Sequence, residues 1–274
     1  MQMTTSKIDE ICLRYTDNEK VSSLPPPVKE PWFSHHGIKN RRRKMEDRLV
    51  CLPRFHALYN IPCNSEASYY GLFDGHNGTC ASSFAVAHLH QFLAESPHYP
   101  NDPVKAFFDA YQKTESHFIA KEVKGGSTAL AVLHQIEEKK IVVSWLGDSQ
   151  AILVKQEGYL LLADPHKPGR KDEFERIETQ GGYVLKAGGS YRVNGQLSVS
   201  RAIGDKEYKP YVSSEPDVRV IDLTGSEEFF VIGCDGLWDV VQPEDVIEAV
   251  YSQMKENPGE SDNYIILYLR DEKN

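Results

Sequence analysis

Apolar residues recur along this chain in two rhythms. Short runs rich in β-branched and aromatic residues, each closed by breakers, predict strands at Tyr69–Phe73, Thr128–His134, Ile141–Trp145, Ala151–Lys155, Phe229–Cys234 and Ile265–Leu269. Between them, helical spacing predicts helices over 79–95, where Phe84, His88, Leu89, Phe92 and Leu93 share a face, and over 103–121, 172–180 and 243–255. The last opens on Pro243, at a first helical position where a missing N–H costs nothing. The stretch from Ile141 to Lys155 reads as two strands folded about Gly147–Ser149, an antiparallel hairpin. Helices come in pairs between groups of strands, which favours antiparallel sheets flanked by helices over a doubly wound parallel sheet.

Upstream of this pattern, the first 30 residues are polar and close in LPPPVKEP, so residues 1–30 are expected to form a flexible arm. Residues 31–271 read as one continuous domain and 272–274 as a tail. With 274 residues, 40% hydrophobic and 26% charged, the chain is expected to be soluble and globular, with a sizeable core. A net charge of −9 argues against nucleic-acid binding and leaves room for carboxylates gathered around cations. No apolar run approaches the roughly 20 residues that span a bilayer, and the start has no signal-peptide pattern. Five cysteines without CxxC spacing suggest reduced thiols and a cytoplasmic location, with RRRK (Arg41–Lys44) leaving nuclear import open.

The candidate chemistry lies where acids meet apolar runs. Asp74 follows YYGLF, Asp148 follows IVVSWLG, Asp235 follows FFVIGC, and Asp262 precedes NYIILYL. Any one of these can be an ordinary turn-former, because an aspartate side chain hydrogen-bonds nearby backbone. Four together supply the oxygen ligands that Mg2+ and Mn2+ prefer, and the glycines after Asp74 and Asp235 allow close backbone approach.

A series of ordered motifs runs through the same region. RRKMED (Arg42–Asp47), FDGHNG (Phe73–Gly78), GGSTA (Gly125–Ala129), GDSQ (Gly147–Gln150), HKP (His166–Pro168), RVNGQLSVSRAIGD (Arg192–Asp205), EPDV (Glu215–Val218), CDGLWD (Cys234–Asp239) and SDN (Ser261–Asn263) follow one another. Their order resembles the PPM/PP2C family of metal-dependent Ser/Thr protein phosphatases. HLHQFL, KPGRKDEFERIETQGG and SRAIGDKEYKPY look most like its calmodulin-dependent kinase and PAK phosphatase subgroup.

The resemblance implies an α+β fold, a four-layer α-β-β-α sandwich with two central antiparallel sheets and a metal site at one edge. It implies that Asp74 bridges two Mn2+ or Mg2+ ions and that the Gly75 carbonyl ligates one. Asp235 and Asp262 would serve the other, Glu46 would act through water, and Asp148, Asp239 and Asp235 would form a weaker third site. Arg42 would grip the substrate phosphate and His76 would protonate the leaving oxygen, since an imidazole titrates near neutral pH. The implied reaction is hydrolysis of phosphoserine and phosphothreonine in proteins, by in-line attack of metal-activated water without a phosphoenzyme. Phosphoproteins, and through the subgroup protein kinases, are the implied partners of a monomer.

Other residues take plainer readings. Arg41 and Arg43 read as surface charge, and His88 and His90, two apart on a helix, do not share a face for a metal. His166 reads as structural, Asp205 as a turn or salt-bridge acid, and Cys234 as a small hydrophobe in a sheet. A cysteine-dependent phosphatase is excluded, because no cysteine has an arginine six positions later. A calcineurin-type site is excluded because GDSQ and GDKE lack its histidines. The alternative is a weakly active or inactive phosphatase-fold binding protein. It is raised by a segment of only 22 residues between Asp239 and Asp262, which holds one helix where the family pattern has two.

Overall fold

The computed structural model describes residues 33–39, 44–63 and 65–256, together with the backbone of 264–270. Strands β1 (Phe33–Ile38) and β2 (Arg48–Leu52) lead into a short helix, α1 (Phe55–Tyr59), then β3 (Ala67–Phe73) and β4 (Gly75–His76). The long helices α2 (Cys80–Ala94) and α3 (Pro103–Ile119) follow. Next come β5 (Gly126–Ser127), β6 (Ala129–Gln135), β7 (Lys140–Leu146), β8 (Gln150–Lys155), β9 (Gly158–Leu161) and α4 (Lys171–Thr179). After β10 (Val184–Ala187), β11 (Ser190–Val193), β12 (Ile203–Gly204), β13 (Asp217–Asp222) and β14 (Glu227–Gly233), two helices, α5 (Asp235–Trp238) and α6 (Pro243–Glu256), lead to β15 (Tyr264–Arg270). The expectation for residues 1–30 falls outside the described residues.

Two five-stranded sheets, ordered β13-β7-β6-β3-β2 and β1-β15-β14-β8-β9, carry the architecture. Alternation along each strand assigns the layers. Tyr70, Leu72, Leu130, Val132, Val143, Leu153 and Ile232 fill the space between the sheets. Tyr69, Phe73, Ala129 and Leu133, on the opposite face of the first sheet, pack with Phe84 and Leu89 of α2 and Phe107 and Tyr111 of α3. Ile152, Val154, Phe229 and Val231 do the same for the second sheet, against Val246, Ile247, Val250 and Met254 of α6. Each large apolar side chain buried this way contributes about 1.5–3 kcal/mol. The result is the four-layer α-β-β-α sandwich expected of an α+β chain.

Two pairings depart from the expected pattern. β7 and β8 do not form a hairpin: β7 pairs with β6 and β13, whereas β8 pairs with β14 and β9 in the other sheet. Both strands are almost wholly buried, and central places in two facing sheets cover both faces of each, which a free hairpin would not. The turn between them therefore crosses from sheet to sheet at one rim, with Gly147 at φ +93° and no room for a Cβ against Thr128. Pairing is antiparallel in the first sheet, but β15 runs parallel to both β1 and β14 in the second. Among the described residues, no helix is long and apolar enough to cross a membrane.

Candidate metal centre

The rim where β3 and β14 end, and where the β7–β8 turn crosses, collects acids. Asp74 is fixed through its backbone: its N–H donates to Thr128 Oγ1 (3.1 Å), and its carbonyl accepts from Thr128 N (2.9 Å) and Ser127 Oγ (3.1 Å). Thr128 Oγ1 in turn meets Ser149 Oγ at 2.9 Å, tying the GGSTA and GDSQ segments together beneath the site. Carboxylate oxygens of Asp74 and Asp235 and the Cys234 sulfur all lie within 4.8 Å of one another. Burial, and then the negative charges of Asp47, Asp235 and Asp148, push the Asp74 carboxyl well above the usual carboxylate range, and Asp47 also hydrogen-bonds it. Convergent carboxylates of this kind repel one another unless protons or cations intervene, and their hard oxygen donors fit Mn2+ or Mg2+.

Asp74, Gly75, His76, Asp148 and Asp235 line a single cleft of about 280 Å³, with Thr128 in its wall. Gly75 is required there, since a Cβ would strike the Glu46 carbonyl and Ser82 Oγ, which are themselves hydrogen-bonded at 2.5 Å. Glu46 is thus anchored against Gly75 by its backbone. Asp239 lies one turn beyond Asp235, exposed, its N–H on the Asp235 carbonyl at 2.9 Å. Asp148 is buried and pairs with the Lys167 ammonium. Burial alone would lower the Lys167 pKa, but Asp148, Asp239 and Asp235 outweigh it and raise it. Arg42 and Asp262 lie outside the described residues.

His76 is positioned by a different partner. Its Nε2–H donates to Asp205 Oδ2 at 2.6 Å, and Asp205 is almost fully buried at a left-handed turn, φ +52°. Gly126 makes the approach possible, because a Cβ there would collide with both side chains. Asp205 is accordingly a salt-bridge acid at a turn. His166 is buried, with Nε2 3.1 Å from Asp217 Oδ2, and serves the scaffold. His90 meets the Tyr59 hydroxyl at 2.5 Å, while His88 stacks on Phe84 with ring centroids 4.1 Å apart, so the two serve separate contacts. Cys234 is buried in the core between the sheets.

Residues 33–272 match the family described as Protein phosphatase 2C. The chain belongs to the protein phosphatase 2C family. Human "Protein phosphatase 1F" is 43% identical over 230 residues, covering 82% of this chain and 50% of the relative. Human "Protein phosphatase 1E" is 40% identical over 260 residues, covering 93% of this chain and 34% of the relative. The chain therefore spans between a third and a half of these relatives. Among solved structures, a C. elegans sex determining protein superposes with a TM-score of 0.77 at 26% identity, covering 93% of this chain and 63% of that one. A serine-threonine phosphatase 2C from Toxoplasma gondii gives 0.72 at 24% identity, covering 85% and 89%, and supports the fold.

Within this protein phosphatase 2C domain the structure adds residues that sequence reasoning passed over. Asp47 is buried beside Asp74, though no apolar run precedes it to mark it out. Lys167 sits in HKP, where only His166 drew a reading, and its charge finds Asp148 only through the fold. Arg192, on β11, was by contrast within reach of the sequence: it opens RVNGQLSVSRAIGD, a stretch that reads as scaffold and cleft wall, and it lines the wall of the cleft that holds the acids.

Proposed function

We propose that this chain is the catalytic domain of a metal-dependent protein Ser/Thr phosphatase. The observation that carries the reading is the meeting of Asp74, Asp148 and Asp235 in the same cleft as His76, with Asp47 buried against Asp74. Asp74, the Gly75 carbonyl, Asp235, Asp148 and Asp239, with Glu46 through water, would hold Mn2+ or Mg2+. When bound, such ions neutralise phosphate charge and acidify water into a nucleophile near neutral pH.

The chain's own residues do the rest. Thr128 and Ser127 fix the backbone of Asp74, so its carboxylate need not reorganise during the reaction. Asp205 holds the Nε2 proton of His76 and orients the ring, leaving Nδ1 as the atom that donates to a departing serine or threonine oxygen. Arg42, by the family resemblance, and Arg192, from the cleft wall, supply positive charge toward a phosphorylated segment. Phosphoproteins, protein kinases among them, form the substrate class, and a cytoplasmic monomer with access to the nucleus is the setting proposed.

The deciding experiment measures hydrolysis of a phosphothreonine peptide by the wild type with and without Mn2+, beside an Asp74→Asn/Asp235→Asn double variant. Only the wild type with Mn2+ should turn over. Equal rates in all three would replace the enzyme with a phosphatase-fold binding protein.

A further inference from the structure

The number of helices between β14 and β15 decides which end of β15 faces the metal rim. β14 runs up to that rim and ends at Gly233, beside Asp235. A single long helix, α6, lies between the two strands among the described residues, and one helix reverses the chain once. β15 therefore starts at the far edge and runs parallel to β14, with Tyr264 beside Phe229 and Tyr268 beside Gly233. A second helix of similar length would reverse the chain again, and β15 would then begin at the rim. β1, the other neighbour of β15, runs parallel to it as well, with Phe33 opposite Ile265 and Ile38 opposite Arg270.

Chain reach turns this direction into chemistry. Phe229 and Gly233 are four residues apart, about 13 Å along a strand at about 3.3 Å per residue, and Asp235 lies beyond Gly233. Asp262 precedes Tyr264 by two residues, and two residues span at most about 7 Å. We propose that the metal centre of this chain is built without Asp262, from the carboxylates of the rim alone: Asp74, Asp148, Asp235 and Asp239, with Glu46 and Asp47. This deepens the phosphatase reading and rests on it. The ion on the Asp235 side then has one carboxylate fewer than the family resemblance implies, and its affinity falls accordingly, because affinity follows the count of charged ligands.

The test is calorimetric titration of the full chain with Mn2+, as wild type, Asp262→Asn and Asp235→Asn, with Mn2+ electron paramagnetic resonance as an independent measure of bound ion. Asp262→Asn should match the wild type within about twofold, while Asp235→Asn should weaken binding by about tenfold or more. A loss in Asp262→Asn of more than about threefold, or its silencing of one binding event, would overturn the proposal. The outcome rests on Asp262→Asn, so a folding defect in Asp235→Asn leaves it decidable. Absence of peptide hydrolysis would sink the phosphatase reading and leave the titration standing, so the two failures are distinguishable.

Discussion

At the scale of single residues, the chemistry turns on where a proton is held. Asp205 secures the Nε2 proton of His76, so the role proposed for His76 concerns the leaving oxygen alone. His76→Ala should lower kcat on a phosphothreonine peptide by about 10²-fold or more. It should change turnover of p-nitrophenyl phosphate far less, because nitrophenolate leaves without a proton. Equal losses on both substrates would assign His76 to binding instead. Asp74, Asp148 and Asp235 were legible from the sequence because each directly follows an apolar run, where a chain leaving a sheet exposes its next side chain. Asp47 follows Met45 and Glu46 without such a run. Only the packing of β2 against β3, with Arg48 opposite Phe73, sets it beside Asp74.

At the scale of elements, a buried ionic network fastens α4 to the cleft wall. Glu173 on α4 accepts from Arg176 Nη2 (2.8 Å) and from Arg201 Nε and Nη2 (3.0 and 2.8 Å), and Arg201 Nη1 reaches Asp217 (2.9 Å). Arg176 also donates to the Ser200 carbonyl, next to Val199 in the cleft lining. Burial alone would raise the Glu173 carboxyl, but hydrogen bonds from Arg176, Arg201 and Ser200 outweigh it and hold it at about 2. Its folded value thus lies below its unfolded one, so the stabilisation is present above pH 4.5 and is lost as pH falls toward 2. In the wild type this group should remove roughly 3 kcal/mol of stability over that window. Glu173→Gln should flatten that part of the acid limb in urea denaturation at stepped pH and lower stability at pH 7. An unchanged acid limb would detach Glu173 from stability. The helix was legible in the sequence as an amphipathic stretch at 172–180, whereas its partners Arg201 and Asp217 lie far along the chain and only the fold brings them to it.

At the scale of the whole molecule, the sandwich gathers like charges at one rim, and a bound cation should stabilise the fold as a whole. Mn2+ at about 100 times its Kd should add about 2.7 kcal/mol and raise Tm by roughly 5–10 °C. Calorimetric scans should show that rise in the wild type and little of it in Asp74→Asn; an equal rise in both would place the ion elsewhere. The amino-acid sequence by itself determined the layered α+β class, the main strands and helices and the family, because hydrophobic periodicity and motif order are local properties of a chain. Tertiary structure decided what depends on how distant segments meet. It sent β7 and β8 to different sheets, because strands buried on both faces need neighbours on both faces. It also placed Asp205 on His76 and Lys167 on Asp148, contacts between residues far apart along the chain. It set the direction of β15, because a strand's direction follows from how often the chain reverses before it and from the neighbours whose hydrogen bonds it completes.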